Sequence, residues 1–348
     1  MKTSVKFLLF FIPVAIIATF VYHALINTMV GNMPQTPPGM GAGMSFESFA
    51  TWSVSIMTGC AIGLLAGLIG IKKYIPIVIV LIYFFTQSAA SIPIALAVRF
   101  KPEWTTTAMA LCLIIASIAM ILLVHGMRFY NVKLTFKPSL SLPLTMAAVG
   151  AAILAAFGGN ILNESLDLQN IMEEQFNDLS LNIAGMLAIA IIGPIAEEVV
   201  FRGAVCNSLL KKGVPTGLTI FISATIFGLV HFNPAQIPFA FLLGLVFGYL
   251  YCRTGSLVPS IIAHILNNTV SVILLAIYQE EAKEITFKEL FGSQAVAWTL
   301  MAVAFIACGA ILYMLHKKCK PAEQLWSEVE EEDNTINTTP PPIPQDLI

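Results

Sequence analysis

An all-α, polytopic membrane protein with about ten transmembrane helices is what the sequence predicts, and three observations carry that prediction. Of the 348 residues, 57% are hydrophobic and 11% charged, whereas soluble domains run near 25% charged. The apolar residues gather in runs close to the ~20 needed to cross a bilayer as a helix. Lysine and arginine collect on alternate connections between those runs, as they do in cytoplasmic loops. The formal net charge of −2 points to no nucleic acid and to no strongly charged partner.

Taken in order, the runs are 7–29, 48–71, 74–98, 104–126, 142–159, 181–210, 215–232, 235–252, 257–278 and 295–315. Lys2 and Lys6 precede the first, which ends in no small-x-small cleavage site, so a retained span is expected rather than a cleaved signal. Alternating sides from a cytoplasmic N-terminus places thirteen of the 18 Lys and Arg residues inside. Only Arg99, Lys101, Lys283 and Lys288 fall outside, with Arg202 set apart as a site residue. Both termini are therefore expected in the cytoplasm, in the plasma membrane if the source is prokaryotic. The outer loop 31–44 is rich in Gly, Pro and Met and has no helical or strand period. Residues 160–180 set Ile161, Leu162, Leu166, Leu168, Ile171, Met172 and Phe176 among acids, which predicts a short amphipathic helix on the outer interface. The tail after His316 turns acidic and then proline-rich, too poor in apolar residues to fold. Five cysteines (Cys60, Cys112, Cys206, Cys252 and Cys308) lie in or against apolar runs without CxxC spacing, which predicts packing rather than disulfides or thiolate metal sites.

The polar residues of the spans cluster between 193 and 268. Glu197, Glu198 and Arg202 lie within six residues of an apolar run, where each charge at the bilayer centre costs roughly 2.5–3.5 kcal/mol on insertion scales. In an α-helix Glu198 and Arg202 are one turn apart and pair, while Glu197 points about 100° away. One glutamate is then structural and the other available. Two further spans carry Phe227-Gly-Leu-Val-His231 and His264-Ile-Leu-Asn-Asn268. In helices Phe227 stacks with His231 and His264 with Asn268, so three helices can offer a carboxylate, two imidazoles and a carboxamide to one polar cavity. Amide hydrolysis by activated water suits that set. Glu197 and His231 would activate the water, and His264 and Asn268 would donate to the oxyanion. His23, His125 and His316 lie near span ends and read as interfacial.

The three segments, EExxxR at Glu197–Arg202, FxxxH at Phe227–His231 and HxxxN at His264–Asn268, resemble the ordered motifs of the CAAX protease and bacteriocin-processing (CPBP, or Abi) family of intramembrane proteases. The resemblance covers about residues 183–278. It divides the chain into an N-terminal bundle with its interfacial helix (1–180), a CPBP-like protease core (181–294), a last transmembrane helix (295–315) and a disordered acidic, proline-rich cytoplasmic tail (316–348). The resemblance implies proteolysis within the membrane of a peptide or protein substrate, prenylated in some members. In the prenyl-protein-processing members of the family the first Glu and the FxxxH histidine are assigned to the water, and the last motif's His and Asn to the oxyanion. Those positions are Glu197, His231, His264 and Asn268. The family has also been called metal-dependent, and one Glu with two His, here Glu197, His231 and His264, is a possible Zn²⁺ set. No HExxH or other compact ligand pair occurs, so a site without metal or other cofactor is expected. Two other classes use the same residues: a non-catalytic immunity or scaffold protein, and an ion-coupled transporter with the Glu and His residues as a relay. The transporter class lacks the matched interrupted repeats many such proteins show. With these boundaries His231 falls at the outer end of its span and His264 nearer the inner side, so a tilt or a boundary shift must bring them together.

Overall fold

Small residues at helical spacing decide how these apolar helices can approach. In a membrane the hydrophobic effect does not drive helix association, so close backbone contact and interhelical hydrogen bonds must. The computed structural model describes residues 101–126, 140–278 and 286–320, with Ile79, Tyr83, Thr86, Ser327, Glu328 and Glu331. The expected spans 7–29 and 48–71, nearly all of 74–98, the 31–44 loop and most of the tail lie outside the described residues. The described elements are all helical. They are α1 (Thr105–Gly126), α2 (Leu142–Leu166), α3 (Glu173–Ser180), α4 (Ile183–Leu210), α5 (Thr216–Leu229), α6 (Ile237–Thr254), α7 (Val258–Tyr278), α8 (Phe287–Leu290) and α9 (Gln294–Lys318).

Six of them, α1, α2, α4, α6, α7 and α9, are long and apolar enough to cross a membrane, which makes the protein a multi-pass membrane protein. The expected span at 215–232 is shorter than a full crossing. Helix α5 has 14 residues, about 21 Å at 1.5 Å per residue against a hydrocarbon core of about 30 Å. The expected amphipathic helix also differs. Residues 160–166 continue α2, which stops where Asp167 turns left-handed (φ 47°), a conformation Asp tolerates better than most residues. Only Glu173–Ser180 forms the separate short helix, with Glu173 and Glu174 complementing the dipole of its first turn.

The helices fall into two compact units. In the first, α1 packs on α3 and on the leading part of α4. Asn182 caps α4 by accepting from Gly185 N at 3.1 Å, while its Nδ2 donates to Thr107 Oγ1 at 3.1 Å. Gly185 is obligatory there, because a Cβ would collide with the carbonyl group of Leu179. Gly185→Ala is therefore expected to destabilise the protein by about 1–3 kcal/mol, the usual range for overpacking. Thermal unfolding in detergent checks this, and an unchanged midpoint would contradict the tight approach of α3 and α4.

In the second unit α2 lies between α6 and α9. The run Ala148, Ala151, Ala152, Ala155 and Ala156 buries against Leu243, Val246, Phe247 and Leu250 of α6 and Cys308 and Leu315 of α9. Gly158 and Gly159 extend that face, a Cβ on them meeting Phe305 and Phe239 at 3.1 Å. Helices α5 and α6 pack through a second seam of small residues: a Cβ on Gly244 would sit 3.0 Å from Ala224, and one on Gly248 would sit 3.2 Å from Ile220. Polar locks join the C-terminal ends of α6 and α9. Tyr249 Oη donates to Leu312 O (3.0 Å), and Arg253 Nη2 donates to His316 O (2.8 Å) and Cys319 O (3.3 Å), capping the end of α9.

Candidate active site

Helix α4 is not a regular α-helix. It contains two π-helical stretches, Ala188–Ile192 and Val199–Cys206, which flank one α-helical turn at Gly193–Glu198. In π geometry each N–H reaches back five residues rather than four, and such turns occur frequently at functional sites. Gly193 N donates to Ala188 O, and a Cβ at Gly193 would lie 2.9 Å from that same oxygen. The α-helical spacing assumed for Glu198 and Arg202 therefore does not extend past Val199, because the backbone there repeats at the longer π interval.

Glu197, Glu198 and Asn268 belong to the first unit. Glu198 is fully buried and Glu197 half-buried, so the two adjacent carboxylates differ in their access to water. Asn268 is held at both ends of its carboxamide. Its Oδ1 accepts from Asn267 Nδ2 at 3.0 Å, and its Nδ2 donates to Ile189 O, in the first π stretch, at 3.0 Å.

Arg202, His231 and His264 belong to the second unit, where two phenylalanines gather them. The Arg202 guanidinium is completely buried. It lies 4.4 Å from the centroid of Phe227 and 5.3 Å from that of Phe247, and its Nη2 donates to Gly244 O at 3.2 Å. Aromatic faces and a carbonyl thus replace part of the water a buried cation loses. The rings of His231 and His264 stand edge-on to Phe227 at 5.1 and 5.8 Å, and His264 also packs on Phe247 at 5.1 Å. Both histidines therefore meet one ring. Helix α5 ends at Leu229 and leaves His231 on the following turn, from which it reaches the same ring as His264.

The chemistry of His231 is fixed by one bond. Its Nδ1 lies 2.7 Å from Phe227 O, and a carbonyl oxygen only accepts, so Nδ1 carries the proton. In the neutral ring Nε2 is then the basic nitrogen. Phe232 follows at φ +50°, a left-handed turn that reverses the chain into α6, and the fully buried Asn233 accepts from Gln236 N and Ile237 N through its backbone oxygen. Among the described residues no group of three His, Cys, Asp or Glu side chains is placed to hold a metal ion.

Sequence reasoning missed Phe247 and Gly244, which hold Arg202 and His264, because an apolar aromatic and a glycine in a span carry no chemical signal. Ile189, whose carbonyl oxygen Asn268 bonds, was equally silent. Phe227 was visible as the first residue of FxxxH.

Fold and residues together define a multi-pass helical membrane protein with ionisable groups buried in its spans. The family model described as type II CAAX prenyl endopeptidase Rce1-like matches residues 179–270, a stretch that holds all six candidate residues. Two curated relatives are similar to part of the chain. One, from Bacillus subtilis and named as the membrane peptidase YdiL, is 34% identical over 89 residues, 26% of this chain and 36% of the relative. The other, the membrane-embedded CAAX protease MroQ of Staphylococcus aureus, is 35% identical over 103 residues, 28% of this chain and 42% of the relative. The chain thus aligns with less than half the length of each. The resemblance drawn from the three motifs agrees with the family model over this stretch and with the names of the two relatives. No solved structure matches the chain.

Proposed function

We propose that the protein is an intramembrane endopeptidase that hydrolyses a peptide bond of a membrane-associated or prenylated protein or peptide. The observation that carries this reading is the fixed tautomer of His231, which leaves a basic Nε2 inside a stretch similar to CAAX proteases. Glu197, the more accessible carboxylate, and His231 take the proton of a water whose oxygen attacks the carbonyl carbon. His264 and Asn268 donate to the oxyanion that develops, and the proton passes to the leaving amine as the C–N bond breaks. Glu198 is the structural carboxylate and balances the buried charge of Arg202. The reaction needs no metal. The matched relatives bear the names of peptidases, which lends nothing to the immunity, scaffold or transporter classes.

Purified protein is assayed against a panel of prenylated and unprenylated peptides, with and without chelator. Cleavage that persists in chelator is expected. Activity that vanishes and returns with Zn²⁺ would replace the metal-free mechanism and make Glu197, His231 and His264 ligands. Failure to cleave any peptide would remove the protease reading.

The ten-span arrangement with both termini cytoplasmic belongs to the same proposal. A reporter fused after Lys320 should read cytoplasmic and one at Glu173 external. Reversed signals would overturn it.

A further inference from the structure

The asparagine assigned to the oxyanion has another task, legible in the backbone it touches. Within the first π stretch of α4, Gly193 N donates to Ala188 O, five residues back. The next bond of that pattern would run from residue 194 to Ile189 O, but residue 194 is proline and has no N–H to give. The carbonyl it leaves unserved is the one to which Asn268 Nδ2 donates at 3.0 Å. Asn267 Nδ2 donates to Asn268 Oδ1 at 3.0 Å and holds the carboxamide in that orientation. Pro194 lies three residues before Glu197 and four before Glu198, in the α-helical turn the first π stretch leads into.

We propose that Asn268 is a positioning residue for the carboxylate pair: its side chain supplies the hydrogen bond that Pro194 removes and so fixes the π turn from which Glu197 and Glu198 project. Gly193 permits the turn, Pro194 leaves a carbonyl open, and a carboxamide from α7 closes it. A carboxamide nitrogen has two hydrogens. One serves Ile189 O, and the other is left for the reacting oxygen, so the inference rests on the protease reading for its kinetic consequence and stands apart from it for its structural one.

The test uses the full-length protein in detergent and four variants: Asn268→Ala, Asn268→Asp, Pro194→Ala, and Pro194→Ala combined with Asn268→Ala. Thermal midpoint, kcat and KM are measured, the last two on whichever panel peptide is cleaved. Asn268→Ala should lower the midpoint by several degrees and kcat by roughly tenfold or more, with KM little changed. Adding Pro194→Ala restores a backbone N–H opposite Ile189 O, and should recover most of the midpoint and part of kcat. Asn268→Asp keeps the acceptor of Asn267 but turns a carboxylate oxygen toward a carbonyl, so it should be worse than Asn268→Ala in both readouts.

Three results would overturn the proposal. The first is a double variant no better than Asn268→Ala, which would leave direct donation to the oxyanion as the whole role. The second is recovery of the midpoint without any recovery of kcat, which would make the contact helix packing alone. The third is an Asn268→Asp variant as stable as the wild type, and this arm decides even if Pro194→Ala does not fold. In a protein that cleaves no peptide the protease reading falls, while the midpoints still decide whether the carboxamide holds the π turn.

Discussion

Replacing Glu197 by glutamine is expected to abolish peptide hydrolysis while leaving the protein inserted and folded. Glu197 is the half-buried member of the pair, next to a fully buried Glu198. A glutamine fills the same space and hydrogen-bonds its surroundings but cannot take a proton from water. General base catalysis contributes about 10²–10⁴ in rate, so turnover should fall by at least that range and the thermal midpoint should hardly move. Single-turnover assays with purified protein measure the first, and unfolding in the same detergent the second. Turnover comparable to the wild type would assign the base elsewhere. Glu198→Gln should behave in the opposite way, lowering stability together with activity, because a carboxylate with no exposure is retained for what it holds.

Arg202→Ala is expected to be the most destabilising single substitution in the described part of the chain. The side chain is fully buried between Phe227 and Phe247 and donates to Gly244 O. Truncation empties a cavity beside the ring that both histidines touch and leaves Glu198, in the proposed pairing, without its counterion. Breaking a buried ion pair from one side costs about 3–5 kcal/mol, a large part of the 5–15 kcal/mol that folded proteins commonly possess. Lysine should not rescue it, since an ammonium lacks the planar group that lies over an aromatic face while donating sideways to a carbonyl. The checks are expression of folded protein and its thermal midpoint. A normal midpoint for Arg202→Ala would remove both the pairing and the aromatic cage from the account.

Much of this protein is legible in its sequence because the bilayer imposes strong rules. Runs of apolar residues had to be helices, and α1, α4, α6, α7 and α9 begin and end close to where composition placed them. The six candidate residues stood out because ionisable and amide groups in such runs are rare. The limits of α2, α3 and α5 were less readable. Ile161 is buried with the core of α2 although Asn160 and Asn163 stand close by in sequence, and the halt comes from the backbone of Asp167 rather than from a Gly or Pro signal. The π turns of α4 were hidden for a different reason. Hydrophobic periodicity reports which face of a helix is apolar, and a single extra residue per turn shifts that face by an amount that an apolar segment surrounded by apolar neighbours does not record. Gly193-Pro194 was the one local sign, and its meaning depends on Asn268, which is 74 residues further along the chain. The cage around Arg202 is likewise a tertiary fact, since Phe247 is one of 23 phenylalanines and nothing nearby distinguishes it.

The early stop of α5 bears on a demand that the proposed hydrolysis would place on a protein in a bilayer, which is hydration. Non-helical backbone at membrane depth is tolerated only where protein buries it or where it lines a water-filled cavity. In the turn after Leu229, His231 N and Phe232 N donate to Gly228 O and Leu229 O, and Asn233 O accepts from Gln236 N and Ile237 N, so much of its backbone is satisfied internally. Asn233 is sealed while Phe232 stands 60% exposed. Helix α5 is about 9 Å short of the hydrocarbon thickness, and thinning of the surrounding bilayer is one response to a span that is too short; under the proposed hydrolysis such thinning would shorten the path of water to His231.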